Sequence, residues 1–303
     1  MNPLTPLKCI ASFVLSIGLL LVATAPPTSA QNLIINGDFE TGDFTGWTVM
    51  HAPSGSNIFV DHGPGTPGPD NTFGAFFGAT GSAFDSISQA FATTPGAFYT
   101  LSFFYQVTNL GTPIPANNGF DVLWNGVSVG GGLFPQFDVN PGFGTFTFHL
   151  QATSALTTLQ FNGRNAPSFD FLDDVSVTAA PCPRSQGYWK NNPDAWPVDS
   201  LTLGSQTYTK TELLTILTTP TRGDASLILA HQLIAAKLNI ANGSGAPAPV
   251  PTTITHADSV LSGFSGKLPY NVKSSSPNGQ AMVTDATTLD NYNNGLLTSG
   301  CGG

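Results

Sequence analysis

The stretch "YTLSFFYQV", Tyr99 to Val107, alternates large apolar residues with mostly polar ones. In an extended chain Tyr99, Leu101, Phe103, Tyr105 and Val107 fall on one side, and Thr100, Ser102, Phe104 and Gln106 on the other. The first side is expected to face a core, so this is a half-buried strand. Working outward, "TFTFHLQ" (Thr145 to Gln151) repeats the pattern, with Phe146, Phe148 and Leu150 inward and Thr147, His149 and Gln151 outward. "GFDVLWNGVSV" (Gly119 to Val129) places Asn125-Gly126 between two strand-like halves, a strong signal for a tight hairpin. No helical period appears between Asn32 and Thr178, and Gly, Pro and Asn punctuate the runs. Residues 31–179 therefore read as an all-β antiparallel sandwich.

Charge supports a division of the chain. From Gln31 to Pro181 eleven acids meet one base, Arg164, a balance of −10; from Cys182 onward seven acids meet seven bases. A module this acidic repels nucleic acid and anionic membranes and suits cations or neutral ligands. Residues 1–30 read as a secretory signal, with Lys8, an apolar run from Ile10 to Ala23, and "PPTSA" before Gln31. That run falls short of the roughly 20 residues a membrane helix needs, and no later segment spans either. After cleavage Cys182 and Cys301 remain, and outside the cytoplasm they are expected to pair.

The last strand, "FDFLDDVSV" (Phe169 to Val177), raises a question of charge. If Val175 and Val177 face the core, a strict period of two puts Asp173 there too, where an unpaired carboxylate is costly. Arg164, backbone amides or a calcium ion are the candidate partners. The opening "NLIINGDFETGDFTGW", the middle "ISQAFATTPGAFYTLSF" and the close "FLDDVSV" together resemble the galactose-binding-like jelly roll. That family includes carbohydrate-binding modules and domains of secreted bacterial proteins, those of the PEP-CTERM kind among them. The resemblance implies that the first and last strands lie together, with a structural calcium near their junction held by Glu40, Asp173 and Asp174. Asp38, Asp43 and Gly42 also read simply as turn residues, and Trp47 as a plug for the sandwich end.

A glycan partner follows from the same resemblance. Sugar sites combine aromatic faces with polar groups, and outward Phe104, His149, Gln151 and Gln160 offer such a platform, with Trp124 and Arg164 flanking it. Trp124 is also in phase with Phe120 and Val122, which reads as core.

Beyond "TAAPCPRSQG" the period becomes helical, so 180–303 is expected to be a small, mainly α-helical domain bracketed by Cys182 and Cys301. Thr209 and Glu212 have the spacing of a capping box ahead of Leu213, Leu214 and Leu217. Asp224 caps an almost wholly apolar helix ending at Asn242-Gly243, and two further helices fit Thr255–Phe264 and Asn278–Tyr292. "CPRSQGYWKNNPDAWP" and "AHQLIAAKLN" resemble a secreted bacterial module that opens with a "TQGYWKNHP" type motif. Here Ser185 and Asn192 stand where that motif has Thr and His.

No nucleophile elbow, phosphate loop or metal-protease spacing occurs, and His231, His256, Asp224 and Asp258 are the only acid-base candidates in this half. The expectation is a secreted, non-enzymatic bacterial protein that binds carbohydrate or extracellular matrix. Its alternatives are a structural envelope or matrix protein and, less favoured, a polysaccharide hydrolase. Resembling proteins often end in an apolar sorting tail with a basic end; this chain ends "SGCGG" and is expected to be released, or held by contacts the sequence does not show.

Overall fold

The computed structural model describes residues 31–62, 73–108, 119–129 and 143–301. The expected signal at 1–30 and most of the Gly/Pro-rich loop after Asp61 lie outside the described residues. The ten strands of the first half are β1 (Thr48–Met50), β2 (Ile58–Asp61), β3 (Gly74–Phe77), β4 (Asp85–Ala92), β5 (Phe98–Thr108), β6 (Gly119–Trp124), β7 (Val127–Ser128), β8 (Phe143–Gln151), β9 (Leu156–Arg164) and β10 (Phe169–Ala179). They form two antiparallel five-stranded sheets. The front sheet runs β1-β4-β9-β6-β7 and the back sheet β2-β3-β10-β5-β8.

Period-two alternation builds the core between them. Leu101, Phe103 and Tyr105 from β5 meet Phe120, Val122, Leu159 and Phe161 from the front sheet, all fully buried. Each such side chain contributes about 1.5–3 kcal/mol. Asn125 and Gly126 both take positive φ, 50° and 78°, which closes the expected β6–β7 hairpin. Residues Asn32 to Gly37 lie along β10: the Leu33 amide donates to the Val177 carbonyl, and the Val175 amide to the Gly37 carbonyl. The segment just before β1, which is not itself a strand, therefore lies along β10, whereas the first strand β1 pairs with β4 in the opposite sheet and not with the last strand as the resemblance implies.

One register differs from the alternation. A β-bulge sits between Asp173 and Ser176, where β10 carries one residue more than β5, and Asp174 takes φ 50°. The bulge resets the phase. Leu172, Val175 and Val177 all join the main core, whereas Asp173 shares the outer face of the back sheet with Phe171 and Phe104.

The second half contains α1 (Gln186–Asn191), a short 3-10 turn, the hairpin β11 (Ser200–Leu203) and β12 (Gln206–Thr209), then α2 (Lys210–Thr218), α3 (Ala225–Ala241), α4 (Val250–Ser262) and α5 (Pro277–Asn293). The Thr209/Glu212 capping box is formed, and the Asp224 side chain caps α3. α3 is buried nearly all round because α1, α2, α4 and α5 all pack on it. Cys182 and Cys301 are bonded, with Cα atoms 5.4 Å apart. The halves keep separate hydrophobic clusters, yet from Gln31 onward the chain is one compact unit. At the seam the Ala180 amide donates to the Phe98 carbonyl. Gly245 lies so close that a Cβ there would stand 1.9 Å from Phe98 Cγ.

Candidate functional site

The outer face of the front sheet is where unspent polar groups collect. β4 turns Ser86 and Ser88 outward because Asp85, Ile87 and Gln89 point in; β9 turns Gln160, Asn162 and Arg164 outward because Leu159, Phe161 and Gly163 point in. Antiparallel register aligns them into rows: Met50, Ser86, Asn162 and Asp121, then Thr48, Ser88, Gln160 and Leu123. Gln160 Nε2 donates to Asn162 Oδ1 at 2.7 Å. Among the described residues no hydrogen bond is spent on Gln160 Oε1, Asn162 Nδ2 or the Ser86 and Ser88 hydroxyls. The end of the face is built from Arg164 and Phe84, with the guanidinium carbon 4.3 Å from the ring centroid. One Arg164 amino group donates to the Ser82 carbonyl. The result is an extended face of half-buried amides and the half-buried Ser88 hydroxyl, with Ser86 buried between them, bounded by one cation and one carboxylate.

The other expected ligand residues do not gather there. Phe104 does point out of the back sheet, but it is buried with Phe76 and Phe171 in a second aromatic cluster and offers no open platform. Trp124 lies in the main core, 7% exposed, and its indole donates to the Gln151 carbonyl. That placement follows from its phase with Phe120 and Val122. His149 and Gln151 are exposed on the back sheet, where His149 Nδ1 lies 3.2 Å from Thr100 Oγ1 and Gln151 donates to the Gly96 carbonyl. Of the expected set, Gln160 and Arg164 stand on the front face, with Asn162 between them. Ser86 and Asn162 carried one signal in sequence, the polar alternation of "DSISQ" and "LQFNGR", and Phe84, just ahead of the first, carried none.

The carboxylates expected to hold calcium sit near the start of β3 and the bulge of β10. Glu40 Oε1 accepts from the Phe73 amide at 3.0 Å. Asp173 follows Leu172, the partner of Ala75, and so lies beside Gly74. Both carboxylates thus flank the start of β3, and carboxylate oxygens suit a hard cation. Asp174, exposed at the bulge with positive φ, does not flank β3 with them but lines, together with Asp38, the groove beside the bulge. No cluster of three or more His, Cys, Asp or Glu exists among the described residues, so backbone carbonyls would have to complete any calcium shell. A groove of about 460 Å3 lined by Asn36, Asp38, Ser102, Thr145 and Ser176 opens beside the bulge.

In the helical half the two motifs meet each other. Asn239 Oδ1 accepts from Trp189 Nε1 (3.0 Å) and the Arg184 amide (2.7 Å), while Asn239 Nδ2 donates to the Arg184 carbonyl and to Asn293 Oδ1, both 2.9 Å. Asn293 in turn donates to Gln232. "GYWKN" and "AHQLIAAKLN" are therefore joined as a buried structural network. Ser185 caps α1 as Thr would. His231 Nε2 lies 2.8 Å from the Ile216 carbonyl, and its burial pulls its pKa down. His256 is paired with Asp285 at 2.7 Å, and Asp258 with Lys237 at 2.6 Å. No described helix is long and apolar enough to cross a membrane.

No protein-family model and no curated protein sequence matches the chain. Solved structures similar to about half of it include the enzymatically active domain of bacteriophage CBA120 tailspike protein 4 (12% identity, TM-score 0.37, 49% of this chain), of which the chain spans 21%. Others are a CBM61 module in complex with β-1,4-galactotriose (15%, 0.33, covering 50% of this chain and 99% of that one) and the CBM22-1 xylan-binding domain of Paenibacillus barcinonensis Xyn10C (12%, 0.35, 51% and 97%). At these scores and identities they carry no function over to this chain.

Proposed function

We propose that the sandwich is a glycan-binding module and that its ligand lies along the outer face of the front sheet. The observation that carries this is the row of unspent amide and hydroxyl groups on Ser86, Ser88, Gln160 and Asn162, closed at one end by Arg164 against Phe84. Such groups exchange hydrogen bonds with sugar hydroxyls, and the Phe84 ring gives an apolar edge for a pyranose. The −10 balance of the module favours a neutral polysaccharide over an acidic one. Within this proposal the protein is secreted, in keeping with its apolar leader and its disulfide. It is also non-enzymatic, since His231 and His256 are each engaged by the fold. Calcium would be held by Glu40 and Asp173 and would act by tying the chain start to β10.

Electrophoresis through gels containing soluble neutral polysaccharides tests the glycan reading. The protein is expected to be retarded by at least one of them. Replacing Gln160 and Asn162 together by Ala is expected to weaken binding roughly tenfold or more, since each lost hydrogen bond is worth about 1 kcal/mol. A folded protein that no polysaccharide retards, with a blank glycan array, overturns it in favour of a structural matrix role.

A further inference from the structure

Under the Arg164 end of the front face, inside the sandwich, lies a carboxyl group that the glycan face does not use. Asp170 points inward from β10, since Phe171 points out and Leu172 in, and it is completely buried. Its Oδ1 accepts from the Tyr105 hydroxyl at 2.9 Å and from Asn165 Nδ2 at 3.5 Å. Its Oδ2 has no hydrogen-bond partner, and neither does the buried Oδ1 of Asn165. These two orphaned oxygens belong to side chains already joined by one hydrogen bond. Both are acceptors if Asp170 is ionised, so the arrangement leaves a buried charge and a buried amide oxygen unsatisfied, which is unfavourable for each. A single proton removes both faults.

We infer that Asp170 is a neutral carboxylic acid in the native protein, its Oδ2–H donating to Asn165 Oδ1 while Asn165 Nδ2 donates back to Asp170 Oδ1. This two-bond ring pins the turn between β9 and β10. The groups packed around it agree. Tyr105 from β5 is a donor; Phe77 from β3 brings no charge. Asp85 from β4 is buried with its oxygens accepting from the amides of Ala52 and Asn57. Asp121 from β6 faces outward to Ser128. On β10 itself Asp173 lies on the outer face. Arg164 of β9 turns an amino group to the Ser82 carbonyl and its plane to Phe84, its Nε staying buried without a hydrogen-bond partner, and among the described residues no cation is ion-paired with Asp170. Burial pushes the Asp170 pKa well above the usual carboxylate range, against the Tyr105 bond and a backbone bond at Arg164 that pull it down.

The ring has a consequence for the outer face, which rests on the proposed glycan function. Asn165 follows Arg164 directly, so the ring is a positioning device for that side chain. Ionising Asp170 breaks the ring and releases the turn, and glycan binding is expected to weaken at alkaline pH.

The test compares the full chain with its Asp170→Asn variant by urea unfolding across pH. An acid whose native pKa is raised contributes stability that is whole below the unfolded value, about pH 4, and is lost as pH climbs through the native value. The folded-to-unfolded ratio of the wild type, relative to Asp170→Asn, is therefore expected to fall tenfold per pH unit through that window. A ratio independent of pH overturns the inference. If the variant does not fold, carboxyl-carbon NMR of the aspartate-labelled wild type decides. One aspartate is expected to stay protonated at pH 7; titration of every aspartate below pH 5 overturns the inference, as does a shift on adding EDTA that shows a cation in the proton's place. A neutral Asp170 in a protein that binds no glycan leaves the ring standing and removes only its link to binding.

Discussion

Asn239 shows how one side chain can hold a domain. It is fully buried on α3 and satisfies the indole of Trp189, both backbone groups of Arg184 and the amide of Asn293. Replacing it by Leu keeps the branched shape but leaves up to four buried groups without partners, each costing about 1–3 kcal/mol. Asn239→Leu is therefore expected to lower the unfolding free energy by at least about 3 kcal/mol, read from the shift in urea midpoint. A loss under 1 kcal/mol would show that the network relaxes around water. Because Asn293 shares the network, Asn293→Ala combined with Asn239→Leu is expected to cost less than the two separately. This role was not legible in sequence, where Asn239 looks like the tail of an apolar helix. What could be read was the pair of motifs; that they exist to bond each other required their packing.

At the scale of elements, legibility follows locality. The capping box at Thr209, the Asn125-Gly126 hairpin and the Asp224 cap were readable because each is decided within a few residues. The front-face rows were half readable: alternation gives the outward residues, but only register aligns Ser86 with Asn162. The bulge at Asp174 was not readable, since it depends on how β10 is paired with β5 over its whole length. It also separates the two acids expected to hold calcium, placing Asp173 at the β3 end where Glu40 accepts from the Phe73 amide and Asp174 on the groove beside the bulge. If an ion is held there, millimolar calcium is expected to raise the melting temperature over that in EDTA, by the equivalent of about 2.7 kcal/mol at a hundredfold excess over Kd. Asp173→Ala is expected to abolish that rise and Asp174→Ala to leave it intact. No calcium response in the wild type would assign Glu40 and Asp173 to purely structural bonds.

For the whole molecule the open matter is cooperativity. Each half owns a hydrophobic cluster that could sustain it, and the disulfide spans 119 positions, all inside the helical half. What joins the halves is a thin seam: Phe98 on Gly245, Ser299 against Gly96, and the Ala180 amide on the Phe98 carbonyl. A Cβ at Gly245 would overlap the Phe98 ring, and Gly96, at φ 80°, admits no side chain without strain. The wild type is therefore expected to melt in one calorimetric transition and Gly245→Val in two, because the bulkier residue pries the seam open while touching neither core. Reduction then tells the transitions apart. Opening a loop of this length removes up to about 4.7 kcal/mol of chain-entropy stabilisation, so dithiothreitol is expected to lower one transition of Gly245→Val, that of the helical half, and to leave the sandwich transition where it was. A wild type that already melts in two steps would mean that the seam carries no coupling. A Gly245→Val variant that still melts in one would place the coupling in the backbone bond between Ala180 and Phe98, which the substitution spares.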